Sequence, residues 1–485
     1  MSEEQGLTVK KSDNFSEWYT QVINKSELAD IRYNVKGFLV HRPWSVKIMK
    51  NMYSLLEKEL ESKGHEPVWF PSVIPESFFE KESKHAEGFK AEVFWITEGG
   101  SDSKKFEERL ALRPTSETAM YTMFSLWIQG WKDLPMKMYQ SCQVWRYEGK
   151  ATRPFIRGRE FFWIEAHDVF ATEREALEQV KEDMETTENV IHKMFCLPFV
   201  FLTRPKHDTF AGAVNTFAAD SIMPDGKIIQ LPSTHMLGQN FSKAFDIKFL
   251  DENEKKTYAW QTCYGPAVWR IFGAVIAQHG DDKGLIIPPK ISAVDVVIVP
   301  ILFDKGKKEV LDKCEAVKKS LESNGLRVTI DLRDSYTPGW KYNYWELKGI
   351  PVRIEIGPRD VKAKKVVLVR RDTGEKAVID EKSASNDIVK ILESMQKNII
   401  KKADEFFQKN MRDANRFNEM KSLLDDKGGL IRANWCDKKE CADEIKDKAQ
   451  ADIRGTLFGK VEKVFNKCVV CGKDAKSVVY VGRSY

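Results

Sequence analysis

Four cysteines near the end of the sequence have a spacing that is typical of a metal site. Four residues separate Cys436 from Cys441, two separate Cys468 from Cys471, and 26 lie between the two pairs. Two thiolate pairs supply the four soft ligands that tetrahedral Zn²⁺ prefers. The alternative is four unrelated thiols. We predict a closed structural zinc site, because four protein ligands leave no coordination position for a catalytic water.

A second set of residues has the chemistry to bind phosphate groups. The tripeptide RYE at 146–148 is followed by a basic loop and then by a dense apolar strand at 160–170. Two strands joined by this loop would form an antiparallel pair, and guanidinium groups above such a sheet can hold phosphates in bidentate fashion. The loop carries the arginines Arg153, Arg157 and Arg159. Taken alone, the pattern favours a solvated basic hairpin.

Polar residues also interrupt three segments that are otherwise apolar, at 112–120, 228–249 and 263–289. Any one histidine in such a segment is more often a hydrogen-bonded core residue than a ligand-binding one. Several polar clusters within one apolar domain nevertheless favour a shared pocket over coincidence. The candidate pocket residues in these segments are Thr115, Glu117, Gln230, Ser233, His235, Gln239 and Arg270.

The elements that must position these residues fall into three parts of the 485-residue chain, as its length also suggests. In the first part, from about 37 to 290, strands alternate with amphipathic helices. Its most regular helix begins at a capping box formed by Thr172 and Glu175, and Leu177 is predicted to lie on the apolar face of that helix.

The second and third parts are predicted from a change of pattern at residue 294. A β-α-β-α-β rhythm there indicates a parallel or mixed sheet, followed by a hairpin at 361–379 and a helix that ends near residue 400. A separate charged helix at 399–417 leads into the cysteine-bearing part.

Composition excludes several classes of protein. With 42% hydrophobic and 31% charged residues, the chain has enough apolar material for large cores, which excludes wholesale disorder. No apolar run approaches the ~18 residues of a membrane span. The polar N-terminal segment 1–15 has no apolar signal core, so we expect a cytoplasmic protein without a membrane partner.

The distribution of charge divides the chain. Residues 1–289 carry 36 basic and 41 acidic groups, whereas residues 290–485 carry 41 basic and 31 acidic groups. The resulting net charges of −5 and +10 indicate that the C-terminal part meets a polyanion.

In order along the chain, these segments resemble the three signature motifs of class II aminoacyl-tRNA synthetases. RPW with the segment 64–79 resembles motif 1, RYE with REFFWIEAHD resembles motif 2, and Arg270 with the segment 279–289 resembles motif 3. The phrases RPTSET, FAGA, THMLGQNFSKAF and WELKGIPVRIEIGPRD are similar to those of the prolyl-tRNA synthetase family, of the archaeal and eukaryotic-cytoplasmic type. The resemblance covers about residues 15–485.

The resemblance implies an α+β fold. We expect a class II catalytic domain at 1–290, built as an antiparallel sheet with flanking helices. An α/β anticodon-binding domain at 291–400 and a small zinc-binding C-terminal domain at 401–485 are expected to follow. Motif 1 implies a homodimer. The interval 171–229 is too short to hold an added editing domain.

The resemblance also implies roles for individual residues. Arg146 and Arg270 are the expected catalytic residues, Arg146 binding the α-phosphate of ATP and the amino-acid carboxylate. Glu117 is expected to bind the ammonium group of proline, and Glu148 the adenine amino group. The residues implied for proline binding are Thr115, Glu117, Arg146, Trp163, Phe210 and His235. Those implied for ATP binding are Arg146, Glu148, Arg157, Phe161, Gln230, Ser233 and Arg270. Those implied for anticodon binding are Glu346, Arg353 and Arg359.

The implied activity is the ATP-dependent formation of prolyl-adenylate from L-proline and its transfer to the 3′ end of tRNA(Pro). It requires ATP with Mg²⁺, and the structural Zn²⁺ is a separate requirement of the fold. Two alternatives stay open from the residues. One is a tRNA-binding protein that has lost catalysis, which the unusual Val268 and Trp269 before Arg270 would allow. The other is the same chemistry with threonine or cysteine, although Val144 replaces the zinc-binding cysteine of threonine-specific relatives.

Overall fold

The fold is that of a computed structural model, which describes residues 6–83 and 92–485. The first five residues of the polar N-terminal segment therefore lie outside the described residues. Among the helices in these two ranges, none is both long enough and apolar enough to cross a membrane.

The α-helices of the described ranges are numbered in chain order. They are α1 (Phe15–Lys25), α2 (Pro43–Ser62), α3 (Glu76–Ser83), α4 (Glu117–Trp127), α5 (Glu173–Thr186), α6 (Asn240–Phe245), α7 (Val268–His279), α8 (Lys307–Glu322), α9 (Pro338–Leu347), α10 (Pro358–Ala363), α11 (Ala384–Lys409), α12 (Phe417–Asp426) and α13 (Lys439–Ala449). A π-helical turn at Thr187–His192 extends α5.

The strands are numbered in the same way. They are β1 (Ala29–Asp30), β2 (Val40–His41), β3 (Glu66–Pro67), β4 (Val73–Pro75), β5 (Trp95–Gly99), β6 (Lys104–Leu112), β7 (Met136–Trp145), β8 (Glu160–Phe170), β9 (Val200–Thr203), β10 (Asn215–Ile222), β11 (Ile228–Gly238), β12 (Lys248–Leu250), β13 (Lys256–Tyr258), β14 (Trp260–Gly265), β15 (Val296–Pro300), β16 (Val328–Ile330), β17 (Val352–Ile356), β18 (Lys365–Arg370), β19 (Lys376–Asp380), β20 (Met411–Ala414), β21 (Leu430–Trp435), β22 (Asp452–Leu457) and β23 (Ser477–Gly482).

One large sheet organises the part of the molecule for which the resemblance implies catalysis. Its strand order is β20-β21-β23-β22-β9-β10-β11-β14-β8-β7-β3. The central pairs from β9 to β7 are antiparallel, and β3 is added in parallel at one edge. The predicted antiparallel pair around the basic loop is confirmed as β7 and β8, with Trp145 opposite Glu160.

The C-terminal part joins this same sheet. Strand β22 pairs with β9, placing Thr456 opposite Thr203 and Leu457 opposite Leu202. Strands β21 to β23 then continue the sheet outward, and α13 packs beside β22. The cysteine-bearing part is therefore joined to the central strands of the large sheet through backbone hydrogen bonds, a connection that the local sequence pattern did not predict.

A mixed sheet of order β16-β15-β17-β18-β19 forms the second part. Strands β16, β15 and β17 are parallel, and β18 and β19 are added antiparallel, which confirms the predicted β-α-β-α-β rhythm. The hairpin begins at Lys365, because residues 361–363 belong to α10. Gly374 in its turn has φ +72°, a conformation that favours glycine.

Two helix predictions are corrected by the structure. The helix expected to end near residue 400 and the one expected at 399–417 are a single helix, α11, which ends at Lys409. The expected domain limit at residue 400 thus falls inside a helix. The cause is an unbroken apolar stripe without glycine or proline, which keeps the helix continuous across that point. Its buried members include Leu392, Met395, Ile399, Ala403 and Phe407.

The start of α5 is as predicted, but one of its residues is not. The Thr172 side chain accepts from the backbone N–H of Glu175, whose carboxylate accepts from the backbone N–H of Thr172. This confirms the capping box. Leu177 is 43% exposed, so its predicted place on the apolar face is wrong, whereas Val180 and Met184 are buried.

A buried acidic cluster lies between α5 and the face of the main sheet that α5 covers. His65 Nε2 is 3.2 Å from Asp168 Oδ1, and the ligand atoms of His65, Asp168 and Asp183 all lie within 4.8 Å of one another. Burial and the charge of Asp168 raise the pKa of Asp183 to about 7. The Thr234 hydroxyl donates to Asp183 Oδ2 at 2.5 Å, and this bond opposes the upward shift of the pKa.

We expect this cluster to make stability fall as pH rises. The folded state keeps the Asp183 proton between about pH 4 and pH 7, whereas the unfolded state loses it near pH 4. The free energy of unfolding should therefore fall by up to ~1.4 kcal/mol per pH unit across that window, relative to Asp183→Asn, which mimics the protonated acid. Urea unfolding of both proteins from pH 5 to pH 8 measures the difference, and identical pH slopes would contradict it.

Candidate active site

A cavity of about 290 Å³ lies on the open face of the main sheet, where β8, β14 and β11 run side by side. All of the residues predicted to contact ATP or proline line it, except Glu148 and Arg157. Sequence segments separated by more than 100 residues are brought together here, because these three strands are neighbours in the sheet. The predicted residues that line the cavity are Thr115, Glu117, Arg146, Phe161, Trp163, Phe210, Gln230, Ser233, His235 and Arg270.

Strand β8 supplies one wall of the cavity by alternation. Phe161, Trp163, Glu165 and His167 lie on one face of the strand, two residues apart, and all four line the cavity. Glu165 and His167 were missed at the sequence level. The sequence could have predicted them, because every second residue of a strand lies on the same face, and Glu165 and His167 continue the series that begins with Phe161 and Trp163.

Glu165 is the centre of a buried hydrogen-bond network. It accepts from the backbone N–H of Ser116 at 3.0 Å, from Gln140 Nε2 at 2.9 Å and from the Ser116 hydroxyl. Burial alone would raise its pKa, but the bonds from His167, Ser116 and Gln140 hold the pKa of Glu165 at about 2. Glu165 is therefore a fixed negative charge that positions the segment before α4.

Glu117 stands at the start of α4 with its carboxylate in the cavity. It accepts from the hydroxyl of Thr115, is 5% exposed, and lies close to His167 and Cys263. The hydrogen bond to Glu165 and the charge of Glu117 raise the pKa of His167, although burial opposes this. A buried carboxylate that opens into the cavity is suited to a small cationic amine.

Arg146 follows the last residue of β7 and crosses the cavity floor. Its Nε donates to the carbonyl oxygen of Pro114 at 3.0 Å, and its guanidinium carbon lies 5.3 Å from the ring centroids of both Phe161 and Trp163. Burial lowers the pKa of Arg146, and the charge of Glu117 acts in the opposite direction. Arginine stays ionised at neutral pH, so this is a buried cation beside two aromatic rings.

Arg270 places a second cation opposite Arg146. It lies in the first turn of α7, and its Nε donates to the carbonyl oxygen of Ile156 at 3.3 Å. Burial, together with the charges of Arg146 and Arg157, lowers the pKa of Arg270 to about 10. The positive charges gathered around Arg270 form a site for a polyanion.

Glu148 and Arg157 lie next to the cavity and are paired with each other. Arg157 Nη1 donates to Glu148 Oε2 at 2.8 Å, and its Nη2 donates to the backbone oxygen of Tyr485 at 2.5 Å. The Tyr485 hydroxyl donates to Asp225 at 2.7 Å. The C-terminal segment therefore contacts the arginine loop directly.

Phe210 and His235 form an aromatic part of the cavity lining away from β8. Phe210 and His235 lie with ring centroids 4.7 Å apart. The two ring nitrogens of His235 bond the hydroxyls of Thr216 at 2.9 Å and Ser233 at 3.1 Å. Burial, followed by the charges of Arg204 and His167, lowers the pKa of His235 to about 3, so it is neutral at physiological pH.

The unusual residues before Arg270 lie outside the cavity. Trp269 is 2% exposed and packs against Phe155, with ring centroids 5.7 Å apart. A Cβ on Gly158 would lie 2.9 Å from the Trp269 ring, so glycine permits this packing. Val268 is also buried, whereas the cavity wall continues from Ala267 to Arg270. The side chains of Val268 and Trp269 therefore belong to the packing under the arginine loop and not to the cavity lining.

Two of the three predicted anticodon residues share a narrow cleft. Glu346, at the end of α9, and Arg353, on β17, both line it. Arg353 bonds Glu355 at 3.0 Å and lies 4.3 Å above the Tyr342 ring. Arg359 is exposed on α10, beyond the other end of β17, so the structure does not bring it into this cleft.

The four predicted zinc-binding cysteines form one cluster. Their sulfur atoms lie within 4.8 Å of one another, with Sγ of Cys436 3.5 Å from that of Cys441 and 3.8 Å from that of Cys471. Tetrahedral Zn²⁺ with Zn–S bonds of ~2.3 Å needs sulfurs about 3.8 Å apart. Gly472, at φ +67°, makes the tight turn after the second pair. The donor set and its spacing therefore fit zinc.

Comparison with known proteins gives the class. The family model for the tRNA synthetase class II core domain (G, H, P, S and T) matches residues 94–279, and that for the anticodon binding domain matches 295–393. A third model, for the C-terminal domain of prolyl-tRNA synthetase, matches 417–485. Together with the antiparallel sheet and its cavity, these matches define a class II aminoacyl-tRNA synthetase, which confirms the fold class expected from the sequence.

Relatives of similar length give the family. A proline–tRNA ligase of Thermofilum pendens is 51% identical over 488 residues, covering 99% of this chain and 100% of the relative. Those of Thermococcus kodakarensis and Pyrococcus horikoshii are each 40% identical, and each covers 98% of this chain. The chain belongs to the proline–tRNA ligase family, as the resemblance implied.

Proposed function

We propose that the protein activates L-proline with ATP and transfers the prolyl group to the 3′ end of tRNA(Pro). The observation that carries this proposal is the cavity in which the Glu117 carboxylate faces the guanidinium groups of Arg146 and Arg270. One pole suits the ammonium group of an amino acid, and the other suits its carboxylate and a triphosphate. The names of the relatives support proline as the amino acid.

Positioning and charge would drive the first step. The ammonium group of proline would be bound by Glu117, so that the carboxylate of proline would point towards Arg146. This proline carboxylate would attack the α-phosphate of ATP and release pyrophosphate. Arg146 would hold both reacting groups and neutralise the charge that grows on the phosphate. Arg270 would bind the departing phosphates, and Mg²⁺ bound to ATP would add to that neutralisation. The tRNA hydroxyl would then attack the adenylate, with no protein nucleophile required.

Phe210, Trp163 and His235 would wall the ring of proline. A neutral His235 suits this role, because a charged ring beside the cationic amine would repel it. Phe161 would stack on adenine. Glu148 would give up its hydrogen bond from Arg157 and accept one from the amino group of adenine instead. Gln230 and Ser233 would contact the nucleotide from β11.

Amino-acid-dependent ATP–pyrophosphate exchange with each of the twenty amino acids tests this proposal. Proline is expected to be the preferred substrate. Preferred exchange with another amino acid would show that the substrate is not proline, and no exchange with any amino acid would favour a tRNA-binding protein without catalysis.

Residues 171–229 are occupied by α5, its π-helical turn, β9 and β10, which supports the absence of a cis-editing domain.

We propose that Glu346 and Arg353 read the anticodon from their cleft, with Arg359 contacting the same loop from α10. Replacing both Glu346 and Arg353 with alanine should raise the KM for tRNA by about tenfold or more, because each good bidentate base contact contributes ~1–3 kcal/mol. Proline-dependent exchange should be unchanged, since the cleft lies on a different sheet from the cavity. Equal losses in aminoacylation and exchange would show that the pair serves folding instead.

A homodimer is proposed from motif 1. Trp69, which lies between the edge strand β3 and β4, is 91% exposed, an uncommon state for a tryptophan outside an interface. Trp69→Asp is expected to convert a dimer to a monomer in light scattering coupled to size exclusion. Val461→Asp, at a valine that is 98% exposed on the C-terminal part, should leave the dimer intact. A monomeric wild-type protein would contradict the assignment.

We also propose that the cysteine cluster binds structural Zn²⁺, and that the chain divides into catalytic (1–290), anticodon-binding (291–400) and zinc-binding (401–485) parts. The fit of the sulfur spacing supports the metal. ATP and tRNA as substrates support a cytoplasmic location.

A further inference from the structure

An ion cluster lies at the junction between the zinc-binding part and the catalytic strands. It consists of Arg204, just after β9, Asp220 on β10 and Arg454 on β22. Their exposed fractions are 5%, 0% and 8%, so all three are buried. The cluster sits where β22 pairs with β9, which is the seam that joins the two parts.

Asp220 is held by both arginines at once. Arg204 donates to its two oxygens at 2.7 and 2.8 Å, and Arg454 donates to the same two oxygens at 2.8 and 3.1 Å. Burial alone would raise the pKa of Asp220, but the two guanidinium charges hold it at about 2. Asp208 lies 3.8 Å from Arg204 and adds a second, half-exposed carboxylate at the edge of the cluster.

The cluster reaches the active site through Gln230. Arg204 Nη2 donates to Gln230 Oε1 at 3.0 Å, and both residues line the cavity. Because arginine has no acceptor, the amide oxygen of Gln230 must face it, and the Gln230 NH₂ group is the end available to a substrate acceptor. Arg204 also donates to the backbone oxygen of Arg454 at 2.5 Å, which ties it to β22.

We propose that Arg454 is a positioning residue for ATP binding, acting through Asp220 and Arg204 to orient the Gln230 amide. The zinc-binding part thereby completes the nucleotide side of the cavity. Without Arg454, Asp220 would lose half of its donors, and Arg204 would move to compensate the buried carboxylate. The Gln230 amide would then lose the bond that fixes its orientation. This inference rests on the proposed function only in taking ATP as the ligand.

The test is a double-substitution cycle. Arg454→Met keeps an apolar stem of similar length, and Gln230→Ala removes the amide. In the wild-type background, Arg454→Met is expected to raise the KM for ATP in the exchange reaction by about tenfold, the size of one lost hydrogen bond, with kcat within about threefold. In the Gln230→Ala background, the same change should have no further effect on this KM.

Three controls separate positioning from loss of fold. Zinc content and thermal unfolding of each variant show whether the C-terminal part is intact. Arg454→Lys, which keeps the charge but not the paired bonds, should raise the KM for ATP by a smaller factor. Arg432→Met, on β21 of the same part, removes an arginine paired with exposed Asp413 and should leave the KM unchanged.

Two results would overturn the inference. One is a wild-type KM for ATP in folded, zinc-loaded Arg454→Met and Arg454→Lys proteins. The other is an equally large effect of Arg454→Met with and without Gln230. The same variants can be compared by their equilibrium affinity for a non-hydrolysable ATP analogue. This measurement needs no amino acid, so its result does not depend on whether proline is the correct substrate.

Discussion

Replacing Arg146 with alanine is expected to reduce proline-dependent ATP–pyrophosphate exchange by at least ~10³-fold. The guanidinium is the buried cation beside the rings of Phe161 and Trp163, and its charge lies where negative charge would grow during adenylate formation. Its loss would also remove a positive charge that interacts with the carboxylates of Glu117 and Glu165. Arg146→Lys should recover only part of the activity, because an ammonium group is a point charge and cannot form the paired bonds of a guanidinium.

The fold should survive this change. Alanine removes the bond from Arg146 Nε to the Pro114 carbonyl oxygen, whereas the backbone bond from Arg146 N–H to the Arg159 oxygen remains. Circular dichroism and thermal unfolding check this. Arg174→Ala, at an 84% exposed arginine on α5, is the matched control and should exchange normally. Exchange at the wild-type rate by Arg146→Ala would show that the assignment of Arg146 is wrong.

Replacing Cys471 with serine is expected to release one zinc ion per chain and to loosen residues 430–485. Structural Zn²⁺ contributes ~10–16 kcal/mol to the folding of small zinc-finger peptides, so the loss of a ligand should have the largest effect on stability of any change named above. Elemental analysis measures the zinc, and hydrogen exchange locates the loosened segment. Faster exchange should appear first around Cys468 and in α13, which carries Cys441.

A cysteine outside the cluster supplies the control. Cys314 is fully buried in α8 of the second part, and Cys314→Ala should keep the full zinc content while weakening only the local packing. Absence of zinc from the native protein would falsify the metal assignment itself. If zinc is lost without any change in hydrogen exchange, the ion is bound but does not stabilise this part.

Local patterns accounted for the ends and faces of several elements. The Thr172 and Glu175 box predicted the start of α5, because both of its bonds lie within four residues. The prediction that Leu177 lies on the buried face of α5 was wrong. Neighbouring residues of a helix can lie on a buried and on an exposed face, and the elements that pack against the helix decide which face is buried. The predicted end of a helix near residue 400 was wrong for a related reason, because the apolar stripe of α11 continues past that point.

The sequence by itself determined the family, the cysteine set and most of the cavity residues. These follow from spacing within short segments, as in RYE and the two cysteine pairs, or from phrases long enough to carry a specific resemblance. Glu165 belongs with them in principle, because the alternation along β8 points to it.

Only the tertiary structure decided how the distant parts meet. Asp220 and Arg454 are 234 residues apart, and their bonds exist because β22 is paired to β9 beside β10. The same is true of Arg157 and Tyr485, which are 328 residues apart, and of Glu346 and Arg353 sharing a cleft that excludes Arg359. Such contacts depend on which strands become neighbours. That choice minimises the free energy of the whole chain, so no local segment encodes it.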